Sequence, residues 1–226
     1  MATAIVTGGG RGIGKVAAIL LAKKGVNVIV CSRTQNEIDD TVNAIKPMHA
    51  GVLGVKCDVS ISSQVDNLVK KAAGRFGEID ILINNAGIVF VKQLADTSEK
   101  EWDETLDSNL KSAFLCSKAV LPHMKAGTII NISSGAGKAG FENLSAYCAS
   151  KFGMMGLTES LAWEVANRNI RVMAICPGEV ATKMQEVDPE YYRQNKSRML
   201  KPEQVAAKIV EMVFDSRYTN GQSVDI

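Results

Sequence analysis

The sequence lacks the usual means of holding a metal. It has no CxxC pair and no HxxxH, and its only histidines are His49 and His123, so no zinc site is expected. It has no apolar run near the ~20 residues a membrane-spanning helix needs, and no membrane partner is expected. Charge of one sign is not in excess: 26 Lys and Arg stand against 24 Asp and Glu, a net +2, which gives no reason to expect nucleic acid or an anionic surface as the main partner. Internal repeats, low-complexity tracts and Pro/Ser-rich linkers are also missing. The opening MATAIVTGGG has no basic region and no cleavage pattern, so no export signal is read there. The five cysteines, Cys31, Cys57, Cys116, Cys148 and Cys176, are odd in number and widely spaced. Most lie in apolar runs, as free buried thiols in a reducing cytoplasm would.

What is present is a regular alternation. Short β-branched apolar runs fall at Ala4–Thr7, Val26–Cys31, Val52–Cys57, Ile79–Ile83, Thr128–Ile132, Ile170–Ile175 and, more weakly, Gln222–Ile226. Runs this short and this apolar suit strands buried on both faces. Between them, Gly14–Lys24, Gln35–Ile45, Ser62–Phe76, Ser98–Lys125, Ala146–Arg168 and Pro202–Phe214 carry apolar residues at helical spacing. Strand–helix alternation with short connections predicts right-handed crossovers and a seven-stranded parallel sheet with helices on both faces. A chain of 226 residues suits one such α/β domain over 1–226.

The first strand runs into Thr7-Gly8-Gly9-Gly10-Arg11-Gly12-Ile13-Gly14, and a helix follows. Glycines serve where the backbone takes positive φ or must approach a pyrophosphate closely, and a helix N-terminus offers free N–H groups to phosphate. The spacing is GxxxGxG, not the GxGxxG of larger dinucleotide-binding domains.

Three further motifs follow in order: Asn84-Asn85-Ala86-Gly87 after the fourth strand, Tyr147-Cys148-Ala149-Ser150-Lys151, and Pro177-Gly178 after the sixth. With TGGGRGIG they make the chain resemble the short-chain dehydrogenase/reductase family along essentially its whole length. The resemblance implies a three-layer, doubly wound Rossmann fold and a nicotinamide dinucleotide. It implies that Asp58 and Val59 hold the adenine and that Asn85, with Ala86 and Gly87, lies beside its ribose. It further implies that Pro177, Gly178, Val180 and Thr182 hold the nicotinamide amide. An acidic residue at the end of the second strand would select NAD; here Ser32 and Arg33 stand there, with a second cation, Arg11, in the glycine turn. Two guanidiniums and a hydroxyl suit the 2′-phosphate of NADP(H).

Tyr147 and Lys151 are four apart on a predicted helix, so both side chains leave one face. An ammonium beside a phenol is expected to lower the tyrosine pKa from its ordinary value of about 10, tuning it to exchange a proton with a substrate oxygen. By resemblance, Ser134 polarises that oxygen, with Ser133 its nearest competitor. Lys151 also anchors the nicotinamide ribose, and Asn109 holds a water behind the lysine. Asn109 reads equally as a side chain compensating a helix kink. The expected chemistry is hydride transfer between NADP(H) and a carbonyl or alcohol.

The substrate segment, Lys183 to about Leu200, holds Met184, Val187, Tyr191, Tyr192 and Met199. That suits a medium-sized ketone or aldehyde. A 3-oxoacyl-carrier-protein reductase is the alternative; Lys125 and Arg168 are its candidate basic residues, and both also read as cations at helix C-termini. A catalytically silent NADP-binding regulator is a third reading, opposed by the intact Asn109, Ser134, Tyr147 and Lys151. The two longest predicted helices are expected to pair with a second copy, as in the family's homodimers. The absence of a tail after Ile226 leaves homodimer against homotetramer open.

Overall fold

Along each central strand, successive residues enter two separate cores. Ala4 and Val6 pack on one side of the sheet and Ile5 on the other; Val28 and Val30 oppose Ile29 and Cys31; Ile81 and Ile83 oppose Leu82. A two-residue period with both phases apolar makes a sheet buried on both faces. The computed structural model describes residues 1–49 and 51–226. Its strands are β1 (Thr3–Thr7), β2 (Asn27–Ser32), β3 (Val52–Lys56), β4 (Ile81–Asn84), β5 (Gly127–Ile132), β6 (Ile170–Cys176) and β7 (Ser223–Asp225). They pair in parallel in the order β3-β2-β1-β4-β5-β6-β7, in register as Ile5 with Ile29 and Leu82 with Ile129.

The helices form the outer two layers. One face is covered by α1 (Gly12–Lys23), α2 (Gln35–Ile45) and α8 (Pro202–Phe214), through Ala17, Leu21, Ile45, Val205 and Ile209. The other is covered by α3 (Ser62–Phe76), α5 (Ser112–Val120) and the end of α6 (Ser145–Glu164), through Leu68, Ala72, Cys116, Val120 and Leu161. Each fully buried valine, leucine or isoleucine among them contributes ~1.5–3 kcal/mol. No helix among the described residues is long and apolar enough to cross a membrane. All five cysteines are free and buried.

Three expectations about helices are corrected. The single helix expected over Ser98–Lys125 is α4 (Glu99–Leu106), a π-helical turn (Asp107–Lys111) and α5, closed by a 3₁₀ turn at Leu121–His123. Its start is well marked, since Ser98 and Glu101 form a capping box. Its end is set by Pro122, which brings no N–H. The interruption centres on Asn109, whose side chain bonds to a neighbouring loop. Within the loop expected after β6 lies an additional helix, α7 (Pro189–Asn195). Asp188 caps it by accepting from the Tyr191 N–H at 2.9 Å, and Pro189 occupies its first turn. The Asp-Pro pair was a readable start signal. The helix expected over Ala146–Arg168 ends at Glu164.

Candidate active site

Strand order reverses between β1 and β4, so the loops leaving their carboxyl ends part and open a crevice. The crevice is a cleft of about 800 Å³, within the range of pockets that take large ligands. At one end its wall is built by the loops after β2 and β3: Ser32, Arg33, Asp58 and Val59, with Arg11 from the glycine turn. At the other, across the β4 exit, it is built by Ser134 after β5 and by Tyr147 and Lys151 on α6. Gly8, Gly12, Ile13, Asn85, Ala86 and Gly87 form the middle, and Pro177, Gly178, Val180 and Thr182 after β6 close the far side.

Four residues singled out from the sequence do not line this cleft but shape it from behind. Thr7 is buried; its hydroxyl donates to Ile83 O at 3.2 Å and accepts from the N–H groups of Asn85 and Ala86 at 2.9 and 3.0 Å, clipping β1 to the β4 exit. Gly10 and Gly14 pack against the interior. A Cβ at Gly14 would lie 2.5 Å from both the Asn85 amide nitrogen and Gly8 O, so nothing larger fits there. Asn85 in turn donates to Thr7 O and Gly8 O at 2.9 and 3.2 Å, holding the turn in shape; Gly8 within it has φ +60. Asn109 is the fourth. Its amide donates to Ile88 O and to Ser150 Oγ, each at 3.0 Å, while its oxygen accepts from Ile88 N–H at 2.7 Å.

The glycine turn also passes a test for a phosphate-bearing ligand. Arg11 stands at the N-cap of α1 and supplies no side-chain cap, so the first N–H groups of the helix have no side-chain partner there. A long cleft with an arginine pair at one end, an uncapped helix start midway and a tyrosine–lysine pair at the other fits a dinucleotide in shape and charge.

At the tyrosine end, Lys151 is buried and donates to Ile132 O at 2.7 Å. Its Nζ lies 5.4 Å from the centre of the Tyr147 ring. Burial lowers the lysine pKa from 10.5 to about 8. Burial also raises the tyrosine to about 12, against a smaller opposing pull from the Ser134 hydroxyl. This corrects the expectation that the ammonium would lower the tyrosine: the cost of burying the phenolate sets the direction of the shift. Ser133 and Ser134 separate clearly. The Ser133 hydroxyl is buried and donates to Lys151 O at 3.2 Å, whereas Ser134 accepts from Ala136 N–H at 3.2 Å, caps a short 3₁₀ turn and is only partly buried.

The cleft also collects two carboxylates, Glu37 and Glu179, that no motif in the sequence singles out. Glu37, on the first turn of α2, reaches the arginine end; Glu179 and Tyr191 meet at the mouth, where the tyrosine hydroxyl donates to the carboxylate at 2.6 Å. Glu37 is five residues beyond β2, and only the turn of the chain into α2 brings it back.

Comparison with known proteins agrees with this geometry. A family model described as short chain dehydrogenase matches residues 2–192. The chain is 35% identical to the 3-oxoacyl-(acyl-carrier-protein) reductase of Thermotoga maritima, covering 98% of this chain and 94% of that one. It is 37% identical to the corresponding reductase of Synechocystis sp., covering 99% and 94%. Among solved structures, a short-chain type dehydrogenase/reductase from Mycobacterium marinum superposes with a TM-score of 0.94 at 30% identity, over 100% of this chain and 93% of the other. Levodione reductase does so at 0.92 and 30% identity, over 100% and 95%. The chain belongs to the short-chain dehydrogenase/reductase family and is an oxidoreductase acting between CH–OH and C=O groups.

Proposed function

We propose that the protein reduces a ketone or aldehyde with NADP(H), using Ser134, Tyr147 and Lys151 as its catalytic residues and Asn109 as a positioning residue. The observation that carries this is the convergence of those three side chains at the end of a cleft whose other end holds Arg11 and Arg33. Both sites share one sheet, as a single domain over 1–226 would arrange them. When bound, the dinucleotide supplies the hydride. Arg11 and Arg33 would hold its 2′-phosphate, Asp58, Val59 and Asn85 would border the adenosine, and the Pro177–Thr182 segment would border the nicotinamide.

The substrate oxygen docks between the Ser134 and Tyr147 hydroxyls. With a pKa near 12, Tyr147 holds its proton at neutral pH and gives it to the oxygen as charge develops there. Lys151, with a pKa near 8, is still mostly protonated and stabilises the phenolate left behind. Asn109 ties Ile88 to Ser150, and the Ser150 hydroxyl donates to Tyr147 O at 2.7 Å, so it fixes the helix turn carrying the acid.

Replacing Tyr147 by Phe should leave NADPH binding intact and lower turnover of an activated diketone by ~10²–10⁴. Turnover close to that of the wild type in Tyr147→Phe refutes the mechanism.

A 3-oxoacyl thioester on a carrier protein is the second reading, favoured by the names of the relatives above. Of its two basic candidates, Arg168 donates to Leu121 O and Met124 O at 2.7 and 2.9 Å, capping the end of the α5 segment, and Lys125 is exposed and paired with Glu78. A kcat/KM for an acetoacetyl carrier protein no higher than for the free acetoacetyl thioester rules it out. The buried free thiols support a cytoplasmic setting. Phe114 on α5 and Phe152 and Trp163 on α6 are exposed, Trp163 by 82%, and support self-association through these helices.

A further inference from the structure

Glu37 lines the arginine end of the cleft, against Arg11. It lies on the first turn of α2, where a carboxylate is favoured by the helix dipole. Its Oε1 is 3.5 Å from Arg11 Nη1, with the two side chains 28% and 52% exposed. The pair is not a chance meeting of two flexible side chains. The buried Thr41 hydroxyl sits 3.1, 3.2 and 3.1 Å from the carbonyl oxygens of Gly9, Gly10 and Glu37, joining α2 to the glycine turn. A Cβ on Gly10 would lie 2.8 Å from the Glu37 Cβ, so the turn and the helix are in direct contact. Ser32 holds the loop between them: its hydroxyl accepts from Thr34 N–H at 3.1 Å. With both backbones fixed, the pair parts only when one of the two side chains turns away.

We propose that Glu37 sets the strength of cofactor discrimination, by holding Arg11 as a counter-ion that a 2′-phosphate must displace. The proposal rests on the NADP(H) reading above. A ligand with a 2′-phosphate takes Arg11 and breaks the pair; a ligand with a free 2′-hydroxyl leaves it in place. Glu37 therefore weakens only the phosphorylated ligand, and the preference for NADP(H) is smaller than Arg11 and Arg33 alone would give.

The test is calorimetric binding of 2′,5′-ADP and 5′-AMP at low ionic strength, which needs no turnover. An exposed ion pair is worth up to about 1 kcal/mol, so Glu37→Gln should tighten 2′,5′-ADP about two- to fivefold and change 5′-AMP by under about twofold. In an Arg11→Ala background the same substitution should gain less than about twofold, because the counter-ion effect needs Arg11. The gain should also shrink at high salt, as expected for a partly exposed pair. If the wild type binds the two ligands equally, the NADP(H) reading itself fails. If it prefers 2′,5′-ADP but Glu37→Gln leaves that preference unchanged, or the gain persists without Arg11, only the role of Glu37 is overturned. Weaker 5′-AMP binding in Glu37→Gln overturns it too, since Glu37 would then be reading the ribose.

Discussion

Lys151 opposes the fold at neutral pH, and removing its charge should stabilise the protein while abolishing its activity. The ammonium is buried and its pKa falls from 10.5 to about 8. At about 1.4 kcal/mol for each tenfold change in acidity, keeping it charged in the fold costs about 3 kcal/mol at pH 7. Lys151→Met keeps the length of the stem and removes the charge. It also leaves Ile132 O without its 2.7 Å donor, a loss of ~1–2 kcal/mol. The net gain is about 1–2 kcal/mol, or roughly 3–6 °C in Tm for a chain of this size. The penalty lifts with pH in a defined window. Below about pH 8 the lysine is protonated in both states and the penalty is complete. Between 8 and 10.5 the folded state loses its proton first and the penalty is relieved. Tyr147, raised to about 12, destabilises the fold only above its ordinary value of 10, and does so in both proteins. The difference in Tm between Lys151→Met and wild type, measured by calorimetry at equal concentration, should therefore shrink from pH 7 to pH 10. A variant less stable than wild type at pH 7, or a difference constant across that range, refutes the reasoning.

Three further outcomes follow from the packing. Gly14→Ala puts a Cβ 2.5 Å from Gly8 O and should cost ~1–3 kcal/mol of stability, read by urea unfolding, along with most NADPH affinity. Ser134→Ala should lower kcat for carbonyl reduction while leaving Tm within about 2 °C; Ser133→Ala should lower Tm more than Ser134→Ala, because it strands a buried bond to Lys151 O. Light scattering at micromolar concentration should give at least a dimer, and Trp163→Glu, which charges an exposed apolar face, should weaken it; a 24.3 kDa monomer for the wild type contradicts the assignment of α5 and α6 to an interface.

The sheet was legible because its signal is local and redundant. Runs such as Ala4–Val6 and Val28–Cys31 are apolar in both phases, and that alone demands cover on both faces. Motifs at strand exits were legible for a related reason. The sheet order brings every carboxyl end to one side, so Ser32, Asn85, Ser134 and Pro177 reach the cleft without any detail of loop shape. The kink read at Asn109 could not be resolved into a break between two helices by periodicity alone, because Asp107–Lys111 carries no proline or glycine and its apolar spacing runs on. What interrupts the helix is a long-range bond to Ile88, 21 residues earlier in the chain. Glu37 was missed on the same grounds: its place in the cleft depends on Thr41 and on the contact with Gly10.

The one chemical expectation that failed shows where sequence reasoning stops. Spacing puts a lysine beside a tyrosine, but the effect of the pair depends on how much water reaches it. Both groups are desolvated, so each is pushed toward its neutral form, the tyrosine to about 12 and the lysine to about 8. The consequence bears on direction. A phenol with a pKa near 12 is a proton donor at neutral pH; acting as a base on an alcohol, it must first lose a proton it holds about 10⁵-fold in favour. Lys151 cannot supply that base cheaply either, since at pH 7 it is itself mostly protonated. At neutral pH the resting tyrosine is thus set to donate a proton to a carbonyl oxygen, and carbonyl reduction should fall as Lys151 gives up its proton above about 8 and no longer stabilises the phenolate.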